Sequence, residues 1–316
     1  MISNYQWLNA QNLKTTLQRS FEEFNVTDQG DQESIYQKYS LELDQNKLIS
    51  LELVESGNLV ASAVTCYQHF YTACGPIKLS FLTQVIVQEE FRGRGYLKNL
   101  MELVQDVDER NLSLGSIVIA RRRVSNLYSK YGYLGFGVFP QVVIEKFQER
   151  VLETPSTLVD WDKISIAYQK TYQNLPGSVY RSKAYWNYIK NEVDKGRYGL
   201  GYIQSGNDLG YFLYFKGDCV EIASTSTALF PDLLESSFGH GLRRFKIGSN
   251  HPVFPVMVSA GGGYMVRPER DEGHMLKPYL GGEFLCREID LHMARNLQAK
   301  DDEDKYSIDI NLLNEW

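Results

Sequence analysis

Apolar residues recur at helical spacing through Trp7, Leu8, Leu13, Leu17 and Phe21, which predicts a helix over residues 6–24. The polar stretch from Thr27 to Glu33 then reads as a loop. From Tyr39 the period changes to two. Tyr39, Leu41 and Leu43, then residues 48–54 and 59–67, are strand-like, with turn signals at Asp44-Gln45-Asn46 and Ser56-Gly57-Asn58, the pattern of an antiparallel meander. The apolar run 79–87 is long enough for one central strand and ends in Gln88-Glu89-Glu90-Phe91-Arg92-Gly93-Arg94-Gly95. A helix follows at once, with Leu97, Leu100, Met101, Val104 and Val107 along one face. Residues 116–120 read as a strand, 124–131 as a short helix and 136–147 as a final strand pair, so one α/β unit closes near residue 150.

The polar stretch 148–156 is the natural boundary, and two helical patterns follow at 161–172 and 182–193. The earlier order then returns. Strands at 198–203, 209–215 and 219–223 form a second meander around the turn Gly206-Asn207-Asp208, followed by a helix (228–238), a strand (245–248) and a short helix leading into Gly261-Gly262-Gly263-Tyr264. That succession matches residues 48–133 and predicts a diverged internal duplication. The triple glycine reads as a helix end and a tight turn. The charged run 300–305 reads as a solvated linker, with the segment from Ile308 to Trp316 docking back.

Composition narrows the function classes. Lys and Arg number 33 against 39 Asp and Glu, a formal charge of −6 that argues against whole-surface affinity for nucleic acid or anionic membrane. With 43% hydrophobic residues, 21 Tyr and 15 Phe, the chain is too apolar and aromatic to be disordered. No apolar stretch approaches the roughly 20 residues of a membrane span, and the segment from Met1 to Gln11 has neither the basic region nor the apolar core of a secretory signal, so a cytoplasmic location is expected. Cys66, Cys74, Cys219 and Cys286 form no CxxC, and the five histidines form no ligand ladder. Buried free thiols are expected, and neither metal nor a disulfide framework.

The segment that carries chemistry is the strand, glycine turn and helix between Val85 and Met101. A helix start presents unpaired N–H groups and the positive end of its dipole, and Gly93 and Gly95 let an anion approach the main chain. Arg92, Arg94 and Lys98 add positive charge around this turn. Phosphate is the natural guest, yet the sequence has neither the GxxxxGK[ST] of a P-loop nor a dinucleotide-binding GxGxxG here, since Gly95 is followed by Tyr96-Leu97-Lys98.

These residues resemble the GNAT superfamily of acyl-CoA-dependent N-acyltransferases. Its signature, a central strand followed by an R/QxxGxG/A turn and a helix, is met by Val87 and then Arg92-Gly93-Arg94-Gly95-Tyr96-Leu97, with Leu97 where Gly or Ala is usual. A larger residue there is similar to the branch of the enhanced-intracellular-survival acetyltransferases. A second signature, LYxxxGF, is met by Leu127-Tyr128-Ser129-Lys130-Tyr131-Gly132-Tyr133, with Arg121 at the offset of its usual upstream Asn. The resemblance implies an α/β (α+β) fold of two tandem GNAT-like domains, each a mixed, mostly antiparallel twisted sheet flanked by helices. On that basis residues 1–150 would be the catalytic acetyl-CoA-binding domain, 151–300 a degenerate GNAT-like domain shaping the acceptor site, and 301–316 an acidic linker and tail.

The resemblance also implies roles. Backbone groups of Val85, Ile86 and Val87 would pair with the pantetheine arm of acetyl-CoA, the co-substrate. The turn Arg92, Gly93, Arg94, Gly95, Tyr96 and Leu97 would cradle its diphosphate, and Tyr128 would be the general acid for the departing thiolate. Tyr131 and Tyr133 read as packing residues. The acceptor would be a small-molecule or peptide amine, acetylated by direct transfer, with no metal, nucleic acid or membrane involved. Family members often place a glutamate on the central strand as base, whereas Ser80-Phe81-Leu82-Thr83-Gln84 carries none. Proton removal then falls to water, to the second half or to no dedicated group. Glu89 and Glu90 read as solvated, and Trp316 could bring the terminal carboxylate to the site. Arg121-Arg122-Arg123 reads as a solvated cluster, with the 3′-phosphate of coenzyme A as the functional alternative. Residues 224–227 stand where the glycine turn stands in the first copy, without paired glycines or a basic cluster, so that copy is expected to bind no coenzyme. The rival reading is a GNAT-like module that holds an acyl-CoA or another ligand without turnover.

Overall fold

In the computed structural model the described residues are 1–43, 47–72, 75–119, 125–135, 138–144, 159–175, 178–247, 251–259, 264–270 and 274–279. The expectations for Cys74, Cys286, the Arg121-Arg122-Arg123 cluster, Gly261-Gly262-Gly263, the 300–305 run and Trp316 lie outside them.

The chain starts with a strand rather than with the helix expected from residue 6. Strand β1 (Ile2–Trp7) runs antiparallel to β2 (Leu48–Glu55), placing Tyr5 opposite Leu51 and Trp7 opposite Ile49. Helix α1 (Ala10–Glu23) begins after Asn9, whose side chain accepts the amides of Gln11 and Asn12 at 3.0 Å while the Asn12 side chain accepts the Asn9 amide at 2.6 Å. This reciprocal cap satisfies amides that the first turn leaves open and fixes the helix start. Helix α2 (Gln29–Leu43) replaces both the expected loop at 27–33 and the expected strand from Tyr39. Ile35, Tyr39 and Leu43 fall four apart and pack with Leu13 and Leu17 of α1, whereas Leu41, on another face, packs against the core of the second half. Two buried faces on one helix imitate the alternation of a strand.

The next elements follow the sequence reading up to the final strand pair expected at 136–147, where the described residues form one strand, in a different sheet from the short strand before it. After β2 come β3 (Asn58–Phe70), β4 (Ile77–Val87), α3 (Tyr96–Arg110), β5 (Gly115–Ile119), α4 (Ser125–Ser129), β6 (Leu134–Gly135) and β7 (Val138–Ile144). The stripe Leu97, Leu100, Met101, Val104 and Val107 is buried against Ile49, Leu51 and Ala63 of the sheet. The second half runs α5 (Trp161–Tyr172), α6 (Lys183–Asp194), β8 (Gly199–Ser205), β9 (Asp208–Phe215), β10 (Asp218–Ser224), α7 (Phe230–Gly239), β11 (Arg244–Lys246), α8 (Val253–Ser259), β12 (Tyr264–Arg270) and β13 (His274–Pro278). None of the described helices is long and apolar enough to cross a membrane. Cys66 and Cys219 are buried and carry no disulfide.

The described strands form two sheets, a seven-stranded one in the order β1-β2-β3-β4-β5-β13-β6 and a six-stranded one in the order β12-β7-β11-β10-β9-β8. Each contains one parallel pair, β4 with β5 and β10 with β11, among antiparallel neighbours. The expected duplication of order is therefore present, but the sheets are not confined to the two halves of the sequence. β7 leaves the first half to pair with β11 and β12, and β13 returns from the far end to lie between β5 and β6. The halves also meet through main-chain bonds from Tyr71 N to Ser178 O (2.8 Å) and from Tyr180 N to His69 O (2.9 Å). Arg197 donates to Gly30 O at 3.2 Å and to the Ser34 hydroxyl, so the second half grips the first turns of α2.

Two buried polar clusters lock this arrangement. In the second half Arg181 and Glu221 form a bidentate pair at 3.0 and 2.5 Å, and the Tyr211 hydroxyl donates to the same carboxylate at 2.5 Å. The guanidinium lies 3.9 Å from the Tyr168 ring centre and 4.9 Å from that of Trp186. Removing one partner of such a pair costs about 3–5 kcal/mol, because the other charge stays buried. In the first half Asp108 of α3, fully buried, accepts hydroxyls from Tyr67 (2.9 Å), Ser80 (2.5 Å), Thr65 (3.4 Å) and Tyr279 (2.8 Å). Tyr279 directly follows β13, so the returning strand is tied to α3 and β4 through one carboxyl.

Burial pushes the Asp108 carboxyl up to about 6 from the ordinary 3.8, outweighing the hydroxyl donors that pull it down. The folded state thus holds this proton more tightly than the unfolded chain. The resulting stabilisation is full below pH 4 and is lost as pH rises through about 6, on the order of 3 kcal/mol in all. Relative to Asp108→Asn, which cannot ionise, the wild-type thermal midpoint should fall between pH 4 and pH 7 and then run parallel. Equal slopes across that window, followed by circular dichroism, would remove Asp108 as the titrating group.

Candidate functional site

The site is built where β4 parts from β5. Pairing between the two is confined to Ser80–Leu82 against Ser116–Val118, although β4 continues to Val87. On its other side β4 stays paired with β3, with a bulge: Ser62 faces Ile86 and Val64 faces Thr83, so Gln84 and Val85 together stand opposite Ala63. Gln84 takes a positive φ of 53° to make this step. A bulge re-aims the strand beyond it. The last residues of β4 therefore present main-chain groups along an edge that no described strand covers.

At the end of the same strand the glycine turn does what its residues dictate. Gly93 has φ 74° and Gly95 φ 85°, the left-handed region that costs other residues about 1–2 kcal/mol. A Cβ at either glycine would meet nothing within 4 Å, so backbone conformation rather than crowding requires glycine, and the space above the turn is open. No side chain caps α3, and its first main-chain bond runs from Lys98 N to Gly95 O at 3.0 Å. Amides ahead of Lys98 are thus presented at the positive end of a fifteen-residue helix.

The predicted site residues divide by where their side chains go. Val87 and Ile86 are buried and Val85 half-buried, with Val85 and Val87 packed on the α3 core. The Arg92 side chain is turned away from the open turn: its Nε donates to Val87 O at 3.1 Å and its guanidinium pairs with Glu23 of α1 at 2.5 Å. It stitches the end of β4 to α1. Arg94 is exposed, 5.4 Å from the Phe91 ring centre, and Lys98 is exposed 3.9 Å from Glu102. Tyr96 and Leu97 turn inward, Tyr96 donating its hydroxyl to Glu55 and Leu97 filling the core under the helix start. Glu89 and Glu90 are exposed, as expected.

Tyr128 of α4 is buried in the same cluster as Val87 and Leu97, edge-on to Tyr133 at 5.8 Å. Burial holds its phenol well above the ordinary value, so it stays protonated. Its hydroxyl has no hydrogen-bond partner among the described residues. The Tyr133 hydroxyl, by contrast, donates to Ser116 at 2.9 Å, and Tyr131 packs on the core, so both have the packing roles expected. Sequence reasoning passed over Gln84 as a non-carboxylate, and missed Tyr39, whose hydroxyl meets Thr83 Oγ1 at 3.1 Å beside the bulge. Neither a bulge nor a contact across 44 residues leaves a local signal.

In the second half the corresponding edge is closed. Ile222, two residues from the end of β10, has its carbonyl taken by His251 Nε2 (3.0 Å) and the Tyr172 hydroxyl (3.2 Å). Ser224 at the strand end has both main-chain groups bonded to Thr171 Oγ1, at 3.0 and 3.1 Å. Burial pushes His251 down to about 3, so it is neutral, with Nδ1 accepting from Val253 N at 3.1 Å. Helix α7 follows a short turn at 227–229 without a positive-φ glycine; it too has no side-chain cap, but the Phe230 amide is bonded to Thr227 O and Pro231, next in line, has none to offer. Among the described residues, no group of three or more His, Cys, Asp and Glu is placed to hold a metal.

No protein-family model matches the sequence, and no curated protein matches it. Solved structures do. A GCN5-related N-acetyltransferase from Anabaena variabilis superposes with a TM-score of 0.62 at 15% identity, over 87% of this chain and 72% of that one. A GCN5-related N-acetyltransferase from Kribbella flavida gives 0.58 at 14% identity, over 87% and 71%. An Eis protein from Mycobacterium abscessus gives 0.54 at 14% identity, over 88% and 73%. With its two sheets, their parallel pairs and the parted β4 and β5, this chain has the tandem fold of the GCN5-related N-acetyltransferases.

Proposed function

We propose that the chain is an acetyl-CoA-dependent N-acetyltransferase that moves the acetyl group to a primary amine of a small molecule or peptide. One observation carries this reading: the edge of β4 at Val85, Ile86 and Val87, which no described strand covers although Arg92 Nε takes the Val87 carbonyl, leads directly into an uncapped helix start. The edge fits an extended amide-bearing arm as an added strand, and the amides from Gly93 to Leu97 fit a diphosphate. Arg92 enters as the residue that holds the turn in place, while Arg94 and Lys98 supply cationic charge around it. The second half, whose own edge is filled by His251, Tyr172 and Thr171, walls the acceptor side by gripping α2.

The chemistry follows from the same groups. A strand amide aimed at a thioester carbonyl stabilises the oxyanion that forms when nitrogen attacks. Tyr128, kept protonated by burial, donates to the departing thiolate. Transfer is direct, with positioning on two rigid elements supplying much of the rate. A ligand-binding module without turnover is favoured by one observation only, the lack of a carboxylate on β4. Release of free thiol from acetyl-CoA in the presence of amines separates the two.

Calorimetry should show saturable binding of acetyl-CoA to the wild type and none to Gly95→Glu, which puts a carboxylate and a strained φ into the cradle. Normal binding by that variant, with its fold checked by circular dichroism, would displace the diphosphate from this turn. Tyr128→Phe should bind acetyl-CoA with unchanged affinity and lose roughly 10²-fold in kcat, the usual scale for a lost general acid. An unchanged kcat would take Tyr128 out of the mechanism.

A further inference from the structure

Gln84 carries two costs that the fold does not repay. Its φ of 53° is a conformation that glycine adopts freely and other residues adopt at about 1–2 kcal/mol. Its side-chain oxygen is buried with no hydrogen-bond partner among the described residues. Turning the amide over would bury an N–H instead, so one polar atom stays unpaired either way. Leaving such an atom unpaired costs about 1–3 kcal/mol. Both features fall two residues beyond the point where β4 and β5 part company.

That position has a chemical meaning, which rests on the acyl-transfer reading. With the diphosphate at residues 93–97, the arm runs back along β4 from Val87, and its sulfur end comes to the bulge. An attacking nitrogen must stand about 3–3.5 Å from the thioester carbon, which brings it to the same place. We infer that Gln84 is a binding and specificity-determining residue for the acceptor, its side-chain oxygen accepting a hydrogen bond from the incoming N–H. The acceptor class follows from what an amide cannot do. It takes no proton at neutral pH, and no residue of β4 is a carboxylate. An amide acceptor without a carboxylate on its strand thus favours a nitrogen that arrives uncharged. At pH 7.5 about a third of an α-amine with pKa near 7.8 is uncharged, against about 0.1% of a lysine-type amine with pKa near 10.4. Gln84 thus marks a site for weakly basic amines such as the α-amino group of an amino-acid amide or peptide. In the transfer the C–N bond forms as the C–S bond breaks. The surplus proton on nitrogen leaves to water, and Tyr128 protonates the thiolate and is reprotonated from solvent.

The test compares leucinamide with Nα-acetyl-lysinamide as acceptors, following thiol release from acetyl-CoA. Wild type should favour leucinamide at least tenfold in kcat/KM at pH 7.5. Gln84→Leu should raise the KM for leucinamide tenfold or more and leave the KM for acetyl-CoA unchanged. Gln84→Gly suits the backbone and should give the same KM split with a higher thermal midpoint. Gln84→Glu keeps an accepting oxygen and gains a base, so it should restore the leucinamide KM, improve the lysine probe and shift the pH profile downward. An unchanged leucinamide KM in Gln84→Leu, equal rises in both KM values, or a wild-type preference for the lysine probe would overturn the assignment. Acetyl-CoA binding with no turnover of either probe would overturn the acceptor class and leave the cradle standing. Failure of wild type to bind acetyl-CoA would overturn the acyl-transfer reading itself.

Discussion

When parallel strands separate, the amides and carbonyls along their inner edges lose their partners, and something else must satisfy them. This chain contains the situation twice and resolves it in opposite ways. Along β10 the protein supplies the partners itself, with an imidazole, a phenol and a threonine hydroxyl, and the edge at Ile222 and Ser224 is filled. Along β4 the bulge turns the same kind of edge outward, and no described strand covers it, although Arg92 takes the carbonyl of Val87. The difference between an open and a closed cleft thus comes down to a few side chains on α5 and beside α8, not to a different fold.

The half with the filled edge still matters to the other one. Arg197 holds the first turns of α2, and Tyr39 from that helix reaches Thr83 next to the bulge, so the geometry beside the bulge is set in part from the far half. Asp108 works at the opposite end of the first sheet. It gathers hydroxyls from β3, β4 and the residue after β13, and so positions the helix that opens at the glycine turn. Arg92 closes the remaining degree of freedom by tying the end of β4 to α1.

What the sequence shows and hides follows from the range of each interaction. The meander, the stripe on α3 and the glycine turn are legible because alternation, helical spacing and the need for positive φ are local properties of the residues themselves. Helix α2 is misread because Leu41, half-buried, packs against a partner that lies more than a hundred residues away in the chain. Arg92 reads as one more cation near an anion site, since nothing nearby announces Glu23, 69 residues earlier. The strain at Gln84 depends on the register of β3, which no single strand reveals. Alternation identifies β7 as a strand without saying which sheet it joins.

The crossing of β7 and β13 carries a consequence for biosynthesis. A ribosome releases the chain from its N-terminus, yet the strand that fits between β5 and β6 is residues 274–278. Until it emerges, the early sheet keeps an unfilled slot, and β7 waits for neighbours that are still untranslated. Contacts of such long sequence separation slow folding and leave unpaired strand edges open to wrong partners in the meantime. The nascent protein therefore completes both halves together, once β13 has been translated.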